Sequence, residues 1–375
     1  MQRTGTAKLP LHYGKAPSWL TDRMEKLSKN IVAIIAEEYG SDEFLVRLSD
    51  PFWFQAFGCV LGYDWHSSGV TTVVMGVLKR TLKAEEHGIT ICGGKGKAST
   101  KTPHEITDAA FNFGFPTSHI DALRYASKMS AKVDNTAIQA GYQLYHHTFI
   151  IAESRKWAVV QQGLCTTDRT ARRYHWLSDH TSDFVVEPHQ AIVGDAQREK
   201  ALDMTAKESE EARKISVDAS REKPERIMRM ILPVRPLFQT SLTGWLPTSS
   251  SPQHRLDGFS MPVRINWKAL KDVYEFQLTN YEQLLGFEGV GPATIRGLAL
   301  VSELVYGAKP SWKDPVKYSF AYGGKDGVPY PVDRSAMDES IQMLKKAVEE
   351  AQMGNNERMR SLQRLKQFVP PDRSR

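Results

Sequence analysis

The stretch from Leu284 to Gly307, LLGFEGVGPATIRGLALVSELVYG, decides how the rest of the chain is read. Phe287, Glu288, Gly289, Val290 and Gly291 end one short helix and turn sharply, the two glycines supplying backbone angles and a close approach that side chains would block. Pro292 suits the first position of a helix. From there Ile295, Leu298, Val301, Ser302 and Val305 recur at helical spacing, so a second helix buries one face and aims its free amide groups at the turn. A helix start of this kind attracts an anion.

The same residues resemble the helix-hairpin-helix motif: an apolar residue, Gly, apolar, Gly, two variable positions, a small residue and an apolar helix. Phe287, Gly289, Val290, Gly291, Thr294 and Leu298 fall on that pattern. The resemblance implies that the backbone at Gly289, Gly291, Ala293 and Thr294 grips a phosphate of duplex DNA, which positions the strand without reading its sequence. A helix capped by a glycine turn that only packs is the plainer reading. The motif occurs in glycosylases, nucleases, ligases and polymerases, so it implies DNA and names no reaction.

With 375 residues and 41% hydrophobic content, the chain can build ordinary cores in two or three domains. No apolar run reaches the ~20 residues that span a bilayer, and the start at Met1 is polar, so a cytoplasmic protein without a membrane partner is expected. The 3 cysteines, Cys59, Cys92 and Cys165, form no Cys-x-x-Cys pair, which argues against a disulfide framework or a thiolate zinc site. A net charge of +6 permits a polyanionic partner without requiring one.

The reading predicts an α+β chain: a mixed domain over 1–195, a charged connecting helix and loop over 196–261, an all-α hairpin domain over 262–350 and a basic tail over 351–375. In the first domain, Met24, Leu27, Ile31 and Ile34 share a helix face that Gly40 ends, and an apolar cluster from Phe44 to Leu82 reads as buried helices broken at Asp64 to Gly69. A short strand, Ile89 to Cys92, leads into GGKGK, where Lys95 and Lys97 lie on one side of an extended loop, and Thr102, Pro103 and Glu105 form a capping box. YQLYHHTFII and KWAVVQQG make a β-hairpin in which His146 and His147 point opposite ways. The following segment is read as a loop that sets Arg172, Arg173, Tyr174 and Trp176 together, with cations for phosphate and rings for a base, or as a surface loop pinned by its aromatics.

From near Arg3 to about Lys345 the chain resembles a family found in archaea and bacteria, domain of unknown function 763. The resemblance rests on LSDPFWFQAFGCVLGYDWHSSGVTTVV, GGKGKAS, AKVD, GYQLYHH, VVQQG, ARRYHW, EPHQAI, GVGPATIRGLALVSELVYG and FAYGGKDGVPYPVDR. It implies an association with cleavage at abasic sites in DNA. A narrower likeness, from Leu284 to about Leu344, is to hairpin-bearing DNA glycosylases, whose catalytic aspartate sits in a Val-Asp-Thr-His block. Pro331, Val332, Asp333 and Arg334 look like that block, which makes Asp333 a candidate catalytic residue. The strand-cleaving lysine of bifunctional members is Ala293 here.

Excising a base requires a carboxylate to offset positive charge at the sugar, and cutting an abasic site requires a neutral amine that forms a Schiff base. Lys132 and Lys95 are the leading amines, ahead of Lys325. The expected function is therefore a DNA-repair lyase or glycosylase that needs no cofactor and no metal. Two other readings compete with it: a metal-dependent nuclease using Asp64, His66, His147, Glu187 and His189, and a DNA-binding module without chemistry.

Overall fold

The computed structural model describes residues 16–63, 69–194, 197–231, 262, 264–316, 334–351 and 354–368. The chain opens with helices α1 (Ser18–Tyr39), α2 (Ser41–Ser49), α3 (Pro51–Val60), α4 (Gly69–Thr81) and the short α5 (Ala84–His87). Local chemistry places their ends. Gly40, at φ +89°, stops α1, and Asp50 caps α3 by accepting from Phe52 N and Trp53 N at 2.7 and 3.2 Å, with Pro51 in the first turn.

Strand β1 (Ile89–Lys95) is followed by a 3-10 turn over Gly96–Lys101, then α6 (Thr102–Asn112) and α7 (Thr117–Lys132). Four further strands, β2 (Ile138–Gln139), β3 (Gln143–Ala152), β4 (Trp157–Cys165) and β5 (Thr170–Leu177), precede β6 (Ala191–Gly194) and β7 (Leu202–Asp203). Strands β1, β3, β4, β5 and β6 form one antiparallel sheet in the spatial order β1-β3-β4-β5-β6, while β2 pairs with β7. The remaining helices are α8 (Glu210–Ser220), α9 (Pro224–Ile231), α10 (Trp267–Phe276), α11 (Tyr281–Gly286), α12 (Pro292–Tyr306), α13 (Arg334–Glu350) and α14 (Asn355–Phe368).

The fold is α+β, with helices on both faces of the antiparallel sheet. Side chains alternate along each strand, so one set goes to each layer. Ile89, Ile91, Ile150, Val160 and Leu177 join the helices of the first 82 residues, whereas Phe149, Ile151, Val159, Tyr174 and Trp176 join α6, α7, α8 and the hairpin helices. The polar doublets obey the same rule. His146, Gln162 and Arg173 are in register across three strands, as are their neighbours His147, Gln161 and Tyr174. His146 and His147 thus face opposite layers, as alternation requires.

Four expectations need correction. The segment from Arg172 to Trp176 is a central strand, and every residue of β5 is buried. Among the described residues, 262–350 show no separate core: α12 shares a hydrophobic cluster with the sheet and α8, and Met343, Leu344, Ala347 and Val348 of α13 pack with α1 to α4. Nor are the described residues of 351–375 only a basic tail, because α14 buries Leu365 in that same cluster and Arg364 donates to Val60 O at 2.8 Å. An amphipathic helix without a core of its own buries its apolar stripe wherever one is open, and here that place lies some 300 residues back in sequence. The capping box at Thr102 is also absent: Glu105 turns to the Gly93 amide and Lys79, at 2.6 Å each.

The docking of α13 is testable. Leu344→Ala should cost about 2–5 kcal/mol in urea unfolding, the range for emptying a buried leucine site, while Met359→Ala, at a position 53% exposed, should stay within about 0.5 kcal/mol. Equal small effects would show that α13 is not part of that core.

Candidate functional site

The hairpin forms as the glycine spacing requires. Asn280 caps α11 by accepting from Gln283 N at 2.8 Å, and the chain turns through 287–291 with Gly289 at φ +80°. A side chain at Gly289 would be strained by that angle and would press on Ala269 Cβ at 2.9 Å. Gly291 differs, for its backbone is extended and a Cβ there would meet nothing within 4 Å. Its hydrogen leaves the surface open to a close approach from outside.

The carbonyls of this turn are held from behind by three separate elements. Lys132, the last residue of α7, donates to Val290 O at 2.6 Å and Phe287 O at 3.3 Å. Asn266, which caps α10 through Ala269 N, donates its amide to Gly289 O at 3.1 Å, and Gln139 of β2 donates to Pro292 O at 2.9 Å. Within α12 the Ile295 amide bonds Gly291 O at 3.1 Å, so the preceding amides of Ala293 and Thr294 take no intrahelical partner. The Val290 amide goes to Phe287 O at 3.3 Å, so the amides of Ala293 and Thr294 and the positive end of this 15-residue helix are what the turn could offer an anion. Lys268 and Lys271 are exposed on α10, and Glu288, exposed in the turn itself, opposes an anion.

The proposed lysines are therefore separated by the fold. Lys132 is half-buried against the hairpin, and its pKa is lowered by desolvation and by Lys128, with Glu288 acting the other way. Lys95 is exposed at the end of β1, its amine 5.9 Å from the centre of the Tyr145 ring, and Lys97 is exposed in the turn that follows. Asp333 and Lys325 lie outside the described residues, as do Asp64 and His66.

Arg172 and Arg173 cannot serve as the phosphate contacts expected of a surface loop. Arg172 ion-pairs with Asp314 at 2.6 Å, both side chains 0% exposed, and lies 4.4 Å from the centre of the Tyr142 ring. Arg173 goes to the opposite layer, where it bonds His175 Nε2 at 2.8 Å and Gln55 Oε1 at 3.3 Å and stacks on Phe54; burial pushes its pKa down to about 9. Tyr174 and Trp176 are core rings. An arginine is tolerated in a core when a distant partner satisfies it, and the partners here are 118 and 142 residues away.

A polar network that local sequence did not reveal sits just beyond Lys132. Alpha-helix α7 ends in a π-type turn, Val133–Ala137, which turns Asp134 inward while Lys132 reaches the hairpin. Asp134, 1% exposed, accepts from Trp176 Nε1 at 3.0 Å, from Gln161 Nε2 and from His189 Nε2. Gln161 also donates to Ser130 O at 3.0 Å and accepts from His147 Nδ1 at 2.6 Å, and His147 Nε2 accepts from Ser127 Oγ at 2.9 Å. The doublet in VVQQG and the His in EPHQAI were the signals for it. Among the described residues, no group of three or more His, Cys, Asp or Glu side chains converges as metal ligands.

On the other face His146 is 1% exposed and neither ring nitrogen has a hydrogen-bond partner, so burial, with His147 and Lys95 adding to it, pushes its pKa down to about 3. The unfolded chain takes up this proton below the ordinary value of 6.5 and the folded chain does not until about 3. Its contribution to stability is thus complete above 6.5 and falls with pH below it, by up to about 1.4 kcal/mol per unit. His146→Met should change stability little at pH 7 and flatten its decline between pH 6.5 and 4.5, read from urea midpoints. A variant with the parent's slope would contradict this burial.

The chain matches the family model described as protein of unknown function (DUF763) over residues 5–332, while no curated protein and no solved structure matches it. No described helix is long and apolar enough to cross a membrane. The matched span takes in the sheet, the polar network and the hairpin together, and the chain belongs to the DUF763 family.

Proposed function

We propose that this protein binds the phosphodiester backbone of duplex DNA through the 287–294 hairpin and acts there on abasic sites through a lysine amine. One observation carries the reading: Lys132, Asn266 and Gln139 hold the carbonyls of the turn, and the Ala293 and Thr294 amides that open α12 have no partner within the helix. Backbone amides at a helix start suit a phosphate and carry no base preference. The open space at Gly291 suits the approach of a strand.

Of the lysines, Lys132 stands closest to this chemistry, because its amine touches the turn that would hold the phosphate. Desolvation favours its neutral form, which a Schiff base requires, while the two carbonyl bonds favour the ammonium and must be released before attack. Attack on the C1′ aldehyde of an opened abasic sugar would form the imine with loss of water, and β-elimination would then break the bond to the 3′ phosphate. Glycosylase chemistry assigned to Asp333 rests on the sequence likeness alone.

The test is borohydride trapping on a duplex with one abasic site, in chelator, with binding measured alongside. The parent should bind and give a covalent adduct. Gly291→Val should lower binding to intact and abasic duplex alike, at least tenfold, without loss of fold, since a Cβ at this position meets nothing within 4 Å. Lys132→Arg keeps a cation for the carbonyls and should bind but give no adduct. Binding without any adduct removes the lyase step, an undiminished adduct in Lys132→Arg with loss in Lys95→Ala moves it to Lys95, and no binding by the parent overturns the reading.

A further inference from the structure

A cavity of about 490 Å³ lies between α8 and the Thr279–Tyr281 segment, which leads into α11 at the end away from the hairpin turn. Glu210, Arg213, Lys214, Val217 and Asp218 of α8 line it, with Arg221 just beyond the helix end. Steps of three and four residues put these six on one face. Most of the charge on that face is matched locally. Lys214 pairs with Glu210 and Glu211 at 2.8 Å each, and Arg221 pairs with Asp218 at 3.5 Å. Lys207, which also lines the cavity, pairs with Glu187 at 3.2 Å.

Arg213 is the exception. It is 6% exposed, and no carboxylate among the described residues bonds to it. Nη1 alone is engaged, donating to Met204 O at 2.7 Å and Ala206 O at 2.6 Å, which fixes the plane of the guanidinium. Nε and Nη2 have no hydrogen bond to a described residue, and neither is sealed from solvent. Their N–H groups are the parallel pair that meets two oxygens of an oxyanion at once. Burial lowers the pKa of Arg213, while Tyr281, Asp183, Glu210 and Asp203 act the other way without bonding to it. Tyr281, in the same cavity wall, is also 6% exposed, and its hydroxyl has no hydrogen-bond partner. For packing alone a phenylalanine would serve there.

We propose that this cavity binds a small organic oxyanion, its charged head on the Arg213 fork and the Tyr281 hydroxyl and its apolar body against Val186 and Val217. The unused groups are donors, so the missing partner is an acceptor. The acids in the wall, Glu210 and Asp218, are each held by a cation of the same face, which leaves the Arg213 charge for the ligand. A volume of 490 Å³ falls within the roughly 300–1,000 Å³ of small-molecule sites. It exceeds what a bare inorganic ion needs, and the two valines give the rest of the molecule a surface. The inference does not depend on the hairpin binding DNA.

The experiment is titration of the full chain with phenyl phosphate and with benzoate, followed by saturation-transfer-difference NMR. At least one of the two should bind saturably, and benzyl alcohol, a ring without the charge, at least tenfold more weakly. A preference for phenyl phosphate identifies a phosphate head, and the reverse a carboxylate. Arg213→Lys keeps a cation and removes the fork, and Tyr281→Phe removes only the hydroxyl. Each should weaken binding at least fivefold, whereas Lys345→Gln on the distant α13 should not. Tyr281→Phe leaves the packed ring in place, so its fold, checked by circular dichroism, is expected to survive even if that of Arg213→Lys does not. No saturable binding of either anion, equal binding of benzyl alcohol, or undiminished binding by a folded Tyr281→Phe overturns the assignment.

Discussion

A buried carboxylate held by three side-chain donors organises the centre of this molecule. Asp134 accepts from β4, from β5 and from the segment before β6 through Gln161, Trp176 and His189. Leaving such a charge unsatisfied would cost several kcal/mol, whereas each hydrogen bond to a charged group returns about 1.5–3 kcal/mol. The sheet, α7 and the His189 segment must therefore come together in one register. That requirement ends α7 in a π-type turn, and the turn sends Lys132 one way and Asp134 the other.

The consequences reach the hairpin. Lys132 leaves α7 toward the hairpin and, with Asn266 and Gln139, fixes the direction in which the hairpin's peptide groups face. Asp134 fixes the ring of His189. Hairpin and polar network are thus coupled through a few residues around one helix end, and a change at Asp134 would disturb both. Preorganisation of this kind lowers the cost of binding because the polar groups need not reorient when the ligand arrives.

Local periodicity carried much of the architecture. The face of α1, the stop at Gly40, the β3–β4 hairpin, the opposite facing of His146 and His147 and the glycine turn at 287–291 are all consequences of spacing within a few residues. Strand β5 was hidden because ARRYHW carries three cationic or titratable side chains, and only partners far away in sequence, Asp314 and Gln55, make their burial tolerable. The shared core was hidden for a related reason: α13 and α14 carry ordinary amphipathic stripes, and nothing local says that they cover α1 and α3.

The central claim is that the hairpin's amides face outward as an anion site. Hydrogen exchange at 288–294, followed by mass spectrometry with and without duplex DNA at low salt, tests it most directly. Slower exchange confined to this turn and the first turn of α12, relieved by added salt, is the result that the account predicts. Unchanged exchange there while the DNA is bound elsewhere on the protein would contradict it.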